Sequence, residues 1–195
     1  KSALEIYGGL KAKIENDFPN PALRADVLNR FNKRANHYKL LGETAPEFVE
    51  INSWIEGENK TLESLRGKVV VLDFWATWCG PCFEAFPHLS AMYNQFREEG
   101  LEVLGMTRFY GTAEGEEVTE PAELQYLREF KVKEKLPYPF VIAQTNTTQN
   151  TYGATGLPTV VIIDRKGIIR YIETGTTPTR GEEITTIVEK LLAEK

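Results

Sequence analysis

A chain of 195 residues with 42% apolar and 26% charged side chains has the make-up of one ordinary globular domain plus an extension. Its net charge of −5 offers no basic face for a phosphate backbone, which argues against nucleic acid as a main partner. The longest apolar runs, near Val69 and Val160, fall far short of the roughly 20 residues a membrane helix needs. No signal peptide is recognisable. The chain starts at Lys1 rather than at methionine, which suits a processed or trimmed form with a leader or anchor removed.

In chain order, residues 2–41 predict two helices. Tyr7, Leu10, Ile14 and Phe18 recur at helical spacing, and Leu23, Val27, Phe31, Tyr38 and Leu41 continue an apolar stripe beyond a Pro-Asn-Pro break. Asn20 is the expected cap of the second helix, with Pro21 at its first position. Packing as a helical hairpin on the domain is the simplest expectation for this segment, and His37 is expected at its surface. Gly42 to Pro46 reads as a hinge, dividing a helical extension, residues 1–42, from a domain, residues 43–195. Residues 47–61 predict a β-hairpin and Leu62 to Arg66 a short helical turn. Val69 to Trp75 is an apolar strand. A helix with Leu89, Met92, Tyr93 and Phe96 on its buried stripe follows, kinked at Pro87 and closed by Gly100. Leu101–Met106 is the next strand, 107–119 a loop, and Pro121–Lys133 a helix. The strand Phe140–Ala143 and a short helix ending near Gly153 come next. Thr159–Ile163 and Ile168–Ile172 form an antiparallel hairpin, and Glu182–Ala193 closes the chain as an amphipathic helix.

Between the strand at Val69 and the helix lies Cys79-Gly80-Pro81-Cys82, which holds both cysteines of the chain and leaves none for a structural disulfide. Such a pair fits a redox motif in any compartment. A helix starting at or just after Cys79 places that sulfur at its N-terminal end. There the helix dipole and unpaired N–H groups favour thiolate over thiol. Cys82 falls one turn later on the same face, within reach of a disulfide and deeper under the helix. Cys79 is therefore expected to attack and Cys82 to resolve. A metal site and an inert buried pair remain the alternatives. Two thiols and the two histidines make a poor four-ligand set, and His88 lies off the shared face. No metal is expected. Asp73, inside Val-Val-Val-Leu-Asp-Phe-Trp, is a carboxylate where an unpaired charge is costly; it is either a structural aspartate satisfied by backbone donors or a functional one.

The stretch Phe74-Trp75-Ala76-Thr77-Trp78-Cys79-Gly80-Pro81-Cys82, with Pro87 five residues on, resembles the thioredoxin active site. Tyr152-Gly153 and Gly156-Leu157-Pro158-Thr159 resemble the second signature of that family. The resemblance covers roughly residues 43–195. The entry through Ala45-Pro46-Glu47-Phe48 is similar to the TlpA-like thioredoxins of the cytochrome c maturation type. The resemblance implies an α/β thioredoxin fold, a central mixed β-sheet flanked by helices, here with an N-terminal β-hairpin and a helical extension. It implies a protein-disulfide reductase whose only redox group is the Cys79–Cys82 dithiol, with no other cofactor. Gly80-Pro81 accompanies reducing behaviour in the family. Asp73 would exchange a proton with Cys82, directly or through water. Trp78 would lie exposed beside the site with Trp75 in the core. A cis Pro158 would face the sulfurs while the Leu157 backbone pairs with an extended substrate. Partners would be disulfide-containing proteins and a membrane or soluble thiol reductase as electron donor, outside the cytoplasm. Glu84 is one position away from the glutamate such reductases carry, where this chain has Ala85, so that role is not transferred to it.

Two other classes remain open. A peroxiredoxin-like peroxidase would share the entry segment, but its Pro-x-x-x-Thr-x-x-Cys pattern meets Leu72 and Ala76 here. A thioredoxin-fold binding module would keep the architecture without turnover, and insulin reduction separates it from a catalyst.

Overall fold

The computed structural model describes residues 3–194. Three helices, not two, precede the sheet: α1 (Ala3–Asp17), α2 (Pro21–Lys33) and α3 (Ala35–Leu40). Asn20 caps α2 as expected, its Oδ1 accepting from the Ala22 and Leu23 amides at 2.9 and 3.2 Å. The second apolar stripe breaks at Arg34, where φ −94° and ψ 2° replace helical geometry and the amide bonds to the Phe31 carbonyl at 3.1 Å. That break turns α3 inward, so His37 is buried rather than at the surface. Tyr7, Phe31 and Tyr38 hold the three helices together, with ring centroids 4.6–5.9 Å apart. α1 itself buries no residue.

The segment expected to be a hinge is bonded along its length. Gly42 N donates to Ile169 O at 2.8 Å, Ile169 N to Glu43 O at 2.9 Å and Ala45 N to Gly167 O at 2.9 Å. The expected hairpin over 47–61 is also corrected: it is a single strand, β1 (Ile51–Ile55). Its Glu56-Gly57 turn, with both residues at positive φ, carries the chain away instead of folding it back. The partner of β1 is the distant β6 (Phe140–Ala143), antiparallel, with Ile55 opposite Phe140. Pairing with β6 satisfies the same ladder that a local hairpin would have closed.

Strands β2 (Val69–Phe74), β3 (Leu101–Arg108), β7 (Thr159–Ile163) and β8 (Ile169–Thr174) complete a six-stranded sheet in the order β1-β6-β3-β2-β7-β8. β2, β3 and β6 run parallel, while β7 and β8 run antiparallel as expected. Every residue of β2 is buried, which explains its unbroken apolar run. Val69 and Val71 pack under α4 (Gly80–Phe96), α5 (Glu120–Lys133) and α7 (Arg180–Ala193); Val70, Leu72 and Phe74 face a second core. That second core is closed by Leu62, Leu65, Tyr152 and Ala154, the last two following α6 (Thr147–Thr151). α4 runs through Pro87 as one helix and passes into a 3₁₀ turn, Arg97–Glu99, ended by Gly100 at φ 102°. β3 extends to Arg108, and the expected loop beyond it contains a small hairpin, β4 (Thr112–Ala113) with β5 (Glu116–Glu117).

At the centre of the sheet Gly105 lies opposite Asp73 on one side and Phe140 on the other. A Cβ at Gly105 would fall 2.8 Å from Phe140 Cδ1 and 3.1 Å from Trp75 Nε1. Gly105→Ala is therefore expected to destabilise the fold by about 1–3 kcal/mol through overpacking, read from the midpoint of chemical unfolding.

Candidate active site

Cys79 caps the N-terminus of α4 and Pro81 occupies its first turn. The turn is closed by Cys79 N bonding to Ala76 O at 3.1 Å and Cys82 N to Cys79 O at 3.0 Å. The two cysteines form a disulfide, their Cα atoms 5.4 Å apart. Their surroundings differ. Both are buried, Cys82 at 0% and Cys79 at 4% exposure, but only Cys79 borders a cleft of about 500 Å³, together with Trp78, Gly80 and Pro81. The far side of that cleft is Gln149, Thr155, Gly156 and Leu157, and the Leu157–Pro158 peptide is cis. Residues about 75 positions apart in the chain thus meet beside one sulfur. When the disulfide opens, the helix field stabilises negative charge on Cys79, the sulfur that borders the cleft.

Asp73 is wholly buried on the α4 side of the sheet, on the face that also carries Val71 and Trp75. Among the described residues neither of its oxygens has a hydrogen-bond partner, nor do Trp75 Nε1 and the Tyr138 hydroxyl. Burial without compensation pushes its carboxyl from the ordinary 3.8 up to about 7. The expectation of a structural aspartate satisfied by backbone donors does not hold. A carboxyl poised there can take or give a proton near neutrality.

Trp78 is 60% exposed, while Trp75 is packed between Phe86, Phe130 and Phe140. What holds Trp78 was not read from the sequence. Its ring meets Tyr110 edge-on at 5.3 Å, and the Arg108 guanidinium lies 3.9 Å from the centre of the same Tyr110 ring. The buried Glu123 of α5 fixes the loop by accepting from the Tyr110 and Gly111 amides, both at 2.8 Å. The only sequence signal was an aromatic pair, Phe109-Tyr110, at the end of an apolar strand. Glu84 takes no part in the cleft that Cys79 borders; its carboxylate accepts from the Thr176 hydroxyl at 3.1 Å.

A mixed sheet flanked by helices, with a closed Cys-x-x-Cys at a helix N-terminus across a cleft from Leu157 of the cis Leu157–Pro158 peptide, defines a thioredoxin-fold dithiol–disulfide oxidoreductase. The chain belongs to the AhpC/TSA family, whose model matches residues 41–172. It is 35% identical over 136 residues to the thiol-disulfide oxidoreductase ResA of Geobacillus thermodenitrificans, covering 70% of each chain. It is 34% identical over 134 residues to the ResA of Halalkalibacterium halodurans, covering 69% of this chain and 68% of that protein. A Chlorobium tepidum structure assigned as a thiol:disulfide interchange protein DsbE aligns with TM-score 0.59 and 27% identity, over 78% of this chain and 98% of that one. A thiol-disulfide isomerase from Corynebacterium glutamicum shares the fold, with TM-score 0.62 at 23% identity over 77% and 98% of the two chains. The peroxidase and binding-module alternatives are not favoured by these relatives or by the closed Cys79–Cys82 pair.

Proposed function

We propose that this protein reduces disulfides in proteins outside the cytoplasm, using Cys79 and Cys82 as its only redox group. The observation that carries the reading is the asymmetry of the pair: Cys79 borders the cleft and Cys82 does not. In the reduced protein the Cys79 thiolate attacks one sulfur of a substrate disulfide, and that bond breaks as the Cys79–substrate bond forms. The departing sulfur takes a proton. Asp73 then accepts the Cys82 proton, and the Cys82 thiolate attacks Cys79 Sγ, releasing the second substrate thiolate. Two electrons have passed to the substrate, leaving the Cys79–Cys82 disulfide seen here. A thiol reductase, membrane-bound or soluble, must return two electrons to close the cycle.

Trp78, Gly80, Pro81 and Leu157 would form the binding surface, with Pro158 setting the direction in which the Leu157 backbone meets an extended segment. The site outside the cytoplasm and a role in cytochrome c maturation are supported by the TlpA-like resemblance of the active-site and entry motifs. Among the described residues no helix is long and apolar enough to cross a membrane. The reading is tested by insulin reduction driven by a dithiol. The wild type is expected to accelerate precipitation of the insulin chains, and Cys79→Ser to abolish the acceleration. Equal rates for the two would refute it.

A further inference from the structure

His37 belongs to α3, outside the residues matched by the family model, yet its ring is buried against the loop that leads to Pro158. His37 Nε2 lies 2.9 Å from the Gly153 carbonyl oxygen. A carbonyl only accepts, so Nε2 carries the proton in this contact. The same oxygen accepts from the Thr155 amide at 2.9 Å. Gly153 has φ +66°, and a Cβ there would fall 2.9 Å from His37 Cδ2 and 3.1 Å from Asn36 Cβ. The glycine thus serves the turn and makes room for the imidazole.

From Gly153 the chain continues through Ala154, whose carbonyl accepts from Gln149 Nε2 at 2.8 Å, into Thr155, Gly156 and Leu157, the wall of the cleft opposite Cys79. α3 is itself anchored to the sheet by the Arg34–Glu173 ion pair at 2.7 Å and by the Gly42–Ile169 bond. We infer that His37 is a positioning residue for the dithiol reaction: its Nε2–H ties the N-terminal helices to Gly153 and so fixes the Thr155–Leu157 backbone on which the substrate segment is laid. The inference rests on the reading that this cleft takes a protein disulfide. It also gives residues 35–41 a part in substrate binding.

The test compares wild type, His37→Ala and His37→Gln, whose side-chain amide can still donate to Gly153. Amide exchange at Thr155–Leu157, measured in the folded protein, is expected to speed up about tenfold in His37→Ala and to return toward wild type in His37→Gln. The KM for insulin is expected to rise about fivefold in His37→Ala with kcat within about twofold of wild type, and again to recover in His37→Gln. Unchanged exchange in His37→Ala overturns the inference. So does faster exchange with an unchanged KM, the result of a merely structural histidine. Failure of the wild type on insulin would count against the reductase reading alone, and the exchange arm would still decide whether His37 fixes the Thr155–Leu157 backbone.

Discussion

Replacing Asp73 with Asn is expected to move stability and turnover in opposite directions. The carboxyl is buried, has no partner among the described residues, and is pushed up to about 7 by desolvation. Between 3.8 and about 7 the unfolded chain loses the proton while the folded one keeps it. Stability is therefore full below 3.8, falls as pH rises through this window, and levels off above it. An asparagine of the same shape never ionises. At about pH 8 the Asp73→Asn variant should be more stable than wild type, by at most about 4 kcal/mol for a carboxyl raised from 3.8 to about 7. Near pH 5 the gap should shrink to about 2 kcal/mol or less, because only the part of the window between 3.8 and that pH has been crossed. Chemical unfolding of the oxidised form at both pH values checks this, and a wild type that gains stability from pH 5 to pH 8 relative to the variant would overturn it.

Turnover should respond the other way. If Asp73 takes the proton of Cys82, its loss slows release of the mixed disulfide by about 10²-fold near neutrality, within the usual range for a positioned proton acceptor. The defect should shrink at high pH, where hydroxide ionises Cys82 unaided. Attack by Cys79 on the substrate should change far less, because that sulfur is served by the helix terminus. Stopped-flow separation of the two steps measures both rates. Equal slowing of both would place the effect of Asp73 on the site in general rather than on resolution.

The second large effect is expected from Cys82→Ser. Attack by Cys79 needs only the sulfur at the cleft, so the Cys79–substrate disulfide still forms. The serine hydroxyl is too weak a nucleophile and too poor a redox partner to break it. Turnover should fall by roughly 10³-fold or more, with substrate held covalently on Cys79. Non-reducing electrophoresis after mixing with insulin should show the adduct, and added dithiol should release it. The reverse variant, Cys79→Ser, leaves only a sulfur buried beneath the helix and should trap nothing. Comparable trapping by both variants would mean that the two sulfurs are equally accessible, contrary to the placing of Cys79 alone at the cleft.

Much of the chemistry lies in contacts between near neighbours in the chain, and there the sequence was informative. The spacing of Cys79 and Cys82, the proline one residue into the helix and the strand just before them fix the polarity of the pair within a few residues. Asn20 before Pro21 closed the start of α2 by the same local logic. Asp73 in an all-apolar run announced a buried carboxyl, because every position of that strand is covered on both faces.

Other features depended on contacts that no window of sequence contains. Residues 47–61 carry the alternation of a hairpin, but a strand with one open edge takes whatever ladder the sheet presents, and β6 lies 85 or more positions on. The Trp78 support came from Arg108 at the end of β3 and Tyr110 in the loop beyond it, with Glu123 of α5 holding that loop. His37 reads as a surface residue of the second predicted helix, and it is buried where its ring meets Gly153, 116 positions away. The sequence by itself determined which two sulfurs pair and which of them stands at the start of the helix, since the turn and the one-turn spacing are local. Only the tertiary structure decided what faces them, because a cleft wall is made by bringing remote backbone to a fixed distance, and that distance is set by packing across the whole sheet.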